Sequence, residues 1–336
     1  MKTNIKFILV ALIAIVSFSV TSCSSSSDSS DPAPTPQTIT QIAQGNANLS
    51  LLVKALTKTD LAGTLNAAGT YTVFAPDNTA FIAAGYTDAA AIDALTTEET
   101  AALKNILLNH VLSTKKTAAE LTTGYKKTLA VPVANPTGKI DMFVSNTADG
   151  VILNSTSEVS TPNIAASNGI IHIVDEVIAL PSIVTFVGSD PNLTSLYAAV
   201  TRLDQASAGF VGLLSGTTSS PFTVFAPTNA AFTSYPTESG NTASELTGGN
   251  LTKILKYHVV SGQNYSSSQL FGLTTLTTLL DTGASGFQAI TVVANPASGL
   301  QLKDNNNKST SLDVAYDIQA NNGIIHQIKN VLKPNL

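Results

Sequence analysis

Tyr71-Thr-Val-Phe-Ala-Pro-Asp-Asn-Thr-Ala-Phe81 returns further along the chain as Phe222-Thr-Val-Phe-Ala-Pro-Thr-Asn-Ala-Ala-Phe232. Two more blocks repeat in the same order. Ile106-Leu-Leu-Asn-His-Val-Leu-Ser113 answers Ile254-Leu-Lys-Tyr-His-Val-Val-Ser261, and Asn168-Gly-Ile-Ile-His172 answers Asn322-Gly-Ile-Ile-His326. The offsets are 151 residues (71 to 222), 148 (106 to 254) and 154 (168 to 322), so the copies differ by small insertions. Upstream, Ile39, Ile42 and Leu49 align with Ile183, Phe186 and Leu193 at an offset of 144 (39 to 183). With 336 residues, 43% of them apolar, the chain can bury two ordinary cores. The body therefore divides into 37–181 and 182–336. The second unit opens at Ser182 directly after Pro181, which leaves no flexible linker and predicts a stiff pair.

Each unit reads as helices first and strands later, an α+β pattern. Leu49 to Leu56 and Leu193 to Leu203 carry helical apolar spacing, Asp88 to Leu95 is Ala-rich, and Thr96-Thr-Glu-Glu99 is a capping box opening a helix towards His110. Val131-Pro-Val-Ala, Asp141-Met-Phe-Val and Val151-Ile-Leu alternate like strands, as do Ile290-Thr-Val-Val and Leu300-Gln-Leu. Thr-Val-Phe-Ala-Pro reads as a strand stopped by proline, after which Asn78 or Asn229 is expected to cap a short helix.

The 17 basic residues are outnumbered by 22 acidic ones, a net charge of -5, which argues against nucleic-acid partners. The lone cysteine, Cys23, can make no internal disulfide and no multi-thiolate zinc site. It follows an apolar run from Phe7 to Val20, preceded by Lys2 and Lys6, which is short for a membrane span and reads as a secretory signal over 1–22. Ser19-Val-Thr-Ser-Cys23 resembles a bacterial lipobox. That resemblance implies cleavage before Cys23 and acyl chains on it, the membrane partner of the chain, with about 0.8 kcal/mol per buried CH₂ as the anchoring energy. The alternative is a plain signal peptide. Residues 23–36, rich in Ser, Asp and Pro, read as the lipidated cysteine and a solvated tether.

The three repeated blocks resemble the signature blocks of the fasciclin family: Thr-Val-Phe-Ala-Pro-x-Asn-x-Ala-Phe at 72 and 223, Asn/Tyr-His-Val at 109 and 257, and Asn-Gly-Ile-Ile-His at 168 and 322. The resemblance covers about 37 to 336. It implies two tandem fasciclin domains, each a β-sheet wedge or sandwich packed with several helices. It also implies adhesion modules that bind protein, matrix, glycan or each other, without catalysis or cofactor. A Tyr-His pair flanked by branched apolar residues serves some relatives as an adhesion motif, and Tyr257-His258 matches it; Asn109-His110 departs from it.

All four histidines, His110, His172, His258 and His326, fall at repeated positions. Leu103, Ile106, Leu107, His110 and Val111 share one helix face, as do Leu251, Ile254, Leu255, His258 and Val259. In the last strand Ile324, His326 and Ile328 share one face, while Ile325, Gln327 and Lys329 are expected outside. Buried neutral imidazoles joining backbone groups are the expectation, and no metal-ligand spacing is present. Asp304-Asn-Asn-Asn-Lys308 reads as a hairpin turn. With no Gly-x-Ser-x-Gly elbow and no glycine-rich phosphate loop, no enzyme is expected. The reading is a lipid-anchored outer-membrane surface protein whose contacts come from loops that differ between units, such as Tyr235 to Gly249 and Asn264 to Thr275. The alternative is a periplasmic or surface ligand- or glycan-binding lipoprotein serving an uptake system.

Overall fold

The computed structural model describes residues 35–202, 209–238, 240–283, 286–295, 299–313 and 316–336. The expected signal segment, Cys23 and nearly all of the expected tether lie outside the described residues, and the account below concerns 36–336.

In the first repeat the strands are β1 (Tyr71–Pro76), β2 (Val111–Leu112), β3 (Gly124–Lys127), β4 (Asp141–Thr147), β5 (Gly150–Leu153), β6 (Ser157–Ala166) and β7 (Gly169–Val174). They form one sheet in the order β2-β1-β7-β6-β5-β4-β3. β1 and β7 run parallel, from Tyr71 opposite Gly169 to Pro76 opposite Val174. The long β6 pairs with β5 at one end and with β7 along the rest, and its register shifts twice, between Val159 and Ile164. Such irregularities bend a strand and increase its twist. Two cores result. Val73 and Ile171 pack with Leu52, Phe81 and Leu103 of the helices, whereas Phe74 and Val174 pack with Met142, Val144 and Leu153. β1 is thus buried on both faces, which is why Thr-Val-Phe-Ala-Pro reads as an unbroken apolar run.

The second repeat follows the same plan with β8 (Phe222–Pro227), β9 (Val259–Ser261), β10 (Thr275–Asp281), β11 (Phe287–Asn295), β12 (Gly299–Lys303), β13 (Ser309–Ser311), β14 (Ile318–Ala320) and β15 (Gly323–Ile328). Here the strands form two sheets, β10-β11-β12-β13 and β14-β15-β8-β9, and an isolated bridge joins Leu312 to Ile328. Where β6 is continuous, its counterpart is divided into β13 and β14. The Asp304 turn forms as read: its Oδ1 accepts from Asn306 N and Lys308 N, both at 2.9 Å.

The helices begin where the sequence signals them. The box at Thr96 opens Thr97–Asn109, and Ser182 caps Ile183–Ser189 at the start of the second unit. Three expectations need correction. Val131 to Ala134 is not a strand, because its backbone bonds elsewhere: Val131 N donates to Asn105 Oδ1, and Val133 N and Ala134 N donate to Asn321 of the second repeat. β15 has no outer face; Ile325 and Gln327 are as buried as His326, since helices cover one side and the β10–β13 sheet the other. Asn78 and Asn229 do not cap their own helices. Asp77 and Thr228 do that, and the asparagines reach across to another helix.

Candidate functional site at the junction of the repeats

His110 ends the helix Thr97–Asn109, with Nδ1 2.7 Å from Ile106 O and Nε2 2.9 Å from Ile178 N. A carbonyl can only accept and an amide N–H can only donate, so the ring is neutral with its proton on Nδ1. His258 repeats this with Ile254 O (2.7 Å) and Leu332 N (2.9 Å). His172 and His326 use the other tautomer. Their Nε2 atoms donate to Lys116 O and Tyr265 O, their Nδ1 atoms accept from Asn163 N and Asp317 N, and the rings stack on Phe74 and Phe225. Burial pushes His110 and His258 down to about 4 and lowers His172 and His326 as well. Each imidazole is a staple between two chain segments, with both nitrogens engaged.

The remaining motif residues are equally inward. Asn78 Oδ1 accepts from Leu51 N at the start of the helix Ser50–Lys58 while Nδ2 donates to Ala47 O; Asn229 does the same with Ser195 N and Pro191 O. Each therefore quiets free amides of the neighbouring helix. Tyr257 is 0% exposed and donates its hydroxyl to Ala289 O at 2.9 Å, so the Tyr257-His258 pair presents no surface. Asn168 and Asn322, which open a repeated block, are not among the expected site residues. Asn168 accepts from Ile39 N and donates to Leu65 O and Ala67 O; Asn322 accepts from Ile183 N and donates to Leu214 O and Gly216 O. Among the described residues no group of three or more His, Cys, Asp or Glu is placed to hold a metal ion, and no helix is long and apolar enough to cross a membrane.

The two loops expected to make contacts are both anchored. Tyr235 to Gly249 is tied to the C-terminal segment, Glu245 pairing with Lys333 at 2.9 Å and Glu238 accepting from Asn330 at 2.8 Å. Asn264 to Thr275 is held by Asn264 on Gln319 and Tyr265 N on Thr223, and it leaves Phe271 47% exposed.

What sets this chain apart from its own repeat is the junction. Tyr125 of β3 packs edge-on against Phe143 (5.0 Å) and against Phe186 of the second repeat (5.3 Å), and Phe143 belongs to the second repeat's core. The Tyr125 hydroxyl donates to Asp190 Oδ2 at 2.9 Å, and Gln327 Nε2 donates to the same oxygen at 2.6 Å. Conversely, Asp141 of β4 accepts at one oxygen from Lys127 (2.6 Å) and from Gln319 N of β14 (2.7 Å). Burial holds the Asp141 carboxyl above the usual carboxylate range in spite of Lys127, and raises the Tyr125 phenol, which also faces the Asp190 charge. Above this floor, Tyr125, Lys127, Asp141, Tyr316, Asp317 and Ile318 line a hollow of about 400 Å³. Tyr316 is 50% exposed and also borders a second hollow of about 250 Å³ that contains Phe271. Of these junction residues Phe186 belongs to a repeated set, aligned with Ile42, and the repeat marks it as a core position rather than as a contact between the two repeats.

The fasciclin domain profile matches this chain twice, at 47–181 and 191–334. The chain is 37% identical over 145 residues to protein sll1483 of Synechocystis sp., covering 43% of this chain and 74% of that protein. It is 26% identical over 272 residues to human periostin, covering 80% of this chain but 29% of periostin. A solved fasciclin domain pair from the insect cell adhesion molecule fasciclin I superposes with a TM-score of 0.51 at 18% identity, covering 87% of this chain and 98% of that one.

Proposed function

Because the chain belongs to the fasciclin family, with two tandem fasciclin domains as its body, we propose that it is a non-catalytic adhesion or interaction protein, anchored through acyl chains on Cys23 at a bacterial outer membrane and facing outward. Its partners in this reading are extracellular protein, matrix or glycan, or a second copy of the chain. The observation that carries the reading is the fusion of two fasciclin domains through a shared core at Tyr125, Phe143 and Phe186. A rigid dyad holds the surfaces of its two domains in one mutual orientation. Weak contacts on many anchored copies then act together through high effective concentration. The consumption of all four histidines in backbone hydrogen bonds supports the non-catalytic part.

The test is adhesion of cells carrying the wild-type chain, a Cys23→Ser chain or none to surfaces coated with matrix proteins or glycans, with self-aggregation scored alongside. The reading requires that wild-type cells adhere or aggregate and that the other two do not. Equal behaviour of all three contradicts it. The second reading, capture of a ligand or glycan for an uptake system, is favoured by one observation: a polar, aromatic-flanked hollow at a domain junction, a common place for ligand sites.

A further inference from the structure

We infer that the double hollow around Tyr316 is a glycan-binding site that takes a neutral or amino-sugar oligosaccharide across the junction of the two domains; this rests on the interaction-module reading and names its ligand.

Two of the exposed large aromatic side chains, Tyr316 and Phe271, stand at the same place, Tyr316 shared by both hollows and Phe271 in the outer one. A ring left half in water is an apolar platform, and the C–H face of a pyranose is a flat apolar surface of matching size. Polar groups meet the other requirement, because sugar hydroxyls need fixed donors and acceptors beside the platform. The Asp317 carboxylate is fixed by Ser267, which donates its backbone N–H (2.6 Å) and its hydroxyl to the two oxygens. Each oxygen keeps a lone pair for a ligand hydroxyl. Lys127, its side chain 55% exposed, gives Asp141 one hydrogen and reaches Asp317 O at 3.3 Å, which leaves a third ammonium hydrogen for the ligand. Such groups, held by their own hydrogen bonds before a ligand arrives, lose little on binding.

Charge selects the class. Asp141 already compensates Lys127, so the charge that remains at the mouth is the Asp317 carboxylate, on a chain that is acidic overall. Sulfated or uronic glycans are therefore disfavoured, and hydroxyl- or amine-bearing sugars are favoured. A peptide adding to the sheet is disfavoured too, because the Gln319 amide of the edge strand β14 is taken by Asp141. Two adjoining hollows that share one ring fit an extended ligand rather than a monosaccharide.

The test is calorimetric titration of the detergent-solubilised full chain with cellohexaose, mannohexaose and a glucosamine hexamer, with a heparin hexasaccharide as the anionic probe. Immobilised fibronectin, collagen and the chain itself serve as the protein probes. Tyr316→Ala, Phe271→Ala and Tyr316→Phe are titrated in parallel, and unchanged unfolding midpoints establish that these exposed positions leave the fold intact. The expected result is binding of at least one neutral or amino-sugar hexamer, stronger than heparin. Each alanine should weaken it tenfold or more, while Tyr316→Phe stays within about threefold. Sugar binding that ignores both alanines, or a preference for heparin, overturns the inference. So does binding of matrix protein or of a second copy without any sugar, although the interaction-module reading then stands. Binding of none of these probes overturns both.

Discussion

The Tyr125 hydroxyl lies 2.9 Å from Asp190 Oδ2, and the two residues belong to different domains. Asp190 also caps the turn Pro191–Leu193 through Oδ1, which accepts from Asn192 N. At the equivalent place in the first domain stands Asn46, which caps in the same way on Asn48 N. The second carboxylate oxygen of Asp190 is thus the atom that turns a repeated helix cap into an interdomain latch. Asp190→Ala would leave Tyr125 and Gln327 without acceptors in a buried site, and a loss of about 3 kcal/mol is expected. Tyr125→Phe, which removes one donor and keeps the ring, should lose only about 1 kcal/mol. Urea unfolding of both variants decides it; an Asp190→Ala chain as stable as wild type would dismiss the latch.

The stapling histidines set a pH dependence. Each is neutral and buried with a folded pKa below its value near 6.5 in the unfolded chain. Below pH 6.5 the unfolded state therefore binds more protons, so stability is full above that pH and falls as the pH drops towards about 4, the folded value of His110 and His258. The loss approaches about 3 kcal/mol for each of these two. Asp141, whose pKa is raised, acts in the opposite sense: its contribution is greatest at low pH and is lost as the pH rises through its folded pKa. Four groups oppose one. Urea midpoints at pH 7.5, 5.5 and 4.5 should fall in that order, and a flat profile would refute neutral burial.

Gly169 and Gly323 start the closing strand of each domain at its point of closest approach to the parallel partner. A Cβ on Gly169 would stand 2.3 Å from Tyr71 O, and one on Gly323 2.5 Å from Phe222 O, backbone atoms that cannot step aside. Gly169→Ala and Gly323→Ala should each lose about 2 kcal/mol or more. Gly63→Ala, in the exposed helix Ala62–Asn66 with nothing near the new methyl, should gain up to about 1 kcal/mol. Thermal melts of the three read the contrast directly, and equal shifts would show that close approach is not what glycine serves here.

Asn168 next to Gly169 makes one hydrogen bond as acceptor and two as donor in a site 4% exposed. Asn168→Asp keeps the acceptor for Ile39 N but turns a carboxylate oxygen towards the carbonyls of Leu65 and Ala67. A loss of about 3 kcal/mol at neutral pH is expected. Part of it should return at pH 4, where the acid can donate. A variant with wild-type stability at pH 7 would contradict the three-way bridge.

The repeat and the neutral histidines were legible because the same residues recur at the same spacing, and spacing is what a sequence displays. Asn78 was half legible: its side chain does quiet a helix amide, but one of the helix Ser50–Lys58, and adjacency along the chain pointed to the wrong helix. The central strands were legible as strands while the outer face of β15 was misjudged, since alternation shows which residues share a face and not whether that face is covered. β3, with Gly-Tyr-Lys-Lys, and the polar β6 carry little apolar alternation, and their strand character comes from pairing. The junction was illegible for a deeper reason. Tyr125 and Asp141 lie in the first domain and Asp190 and Gln319 in the second, so no local spacing displays their pairing, and the aligned residue Asn46 marks Asp190 only as a helix cap.

The central claim, an outward-facing anchored dyad, is tested most directly by protease shaving of intact cells with lipid labelling of Cys23 and blotting for the domains. The account requires that the two domains be released together while the labelled cysteine stays with the membrane. Domains protected until the outer membrane is opened, or a cysteine that takes no lipid label, would contradict it.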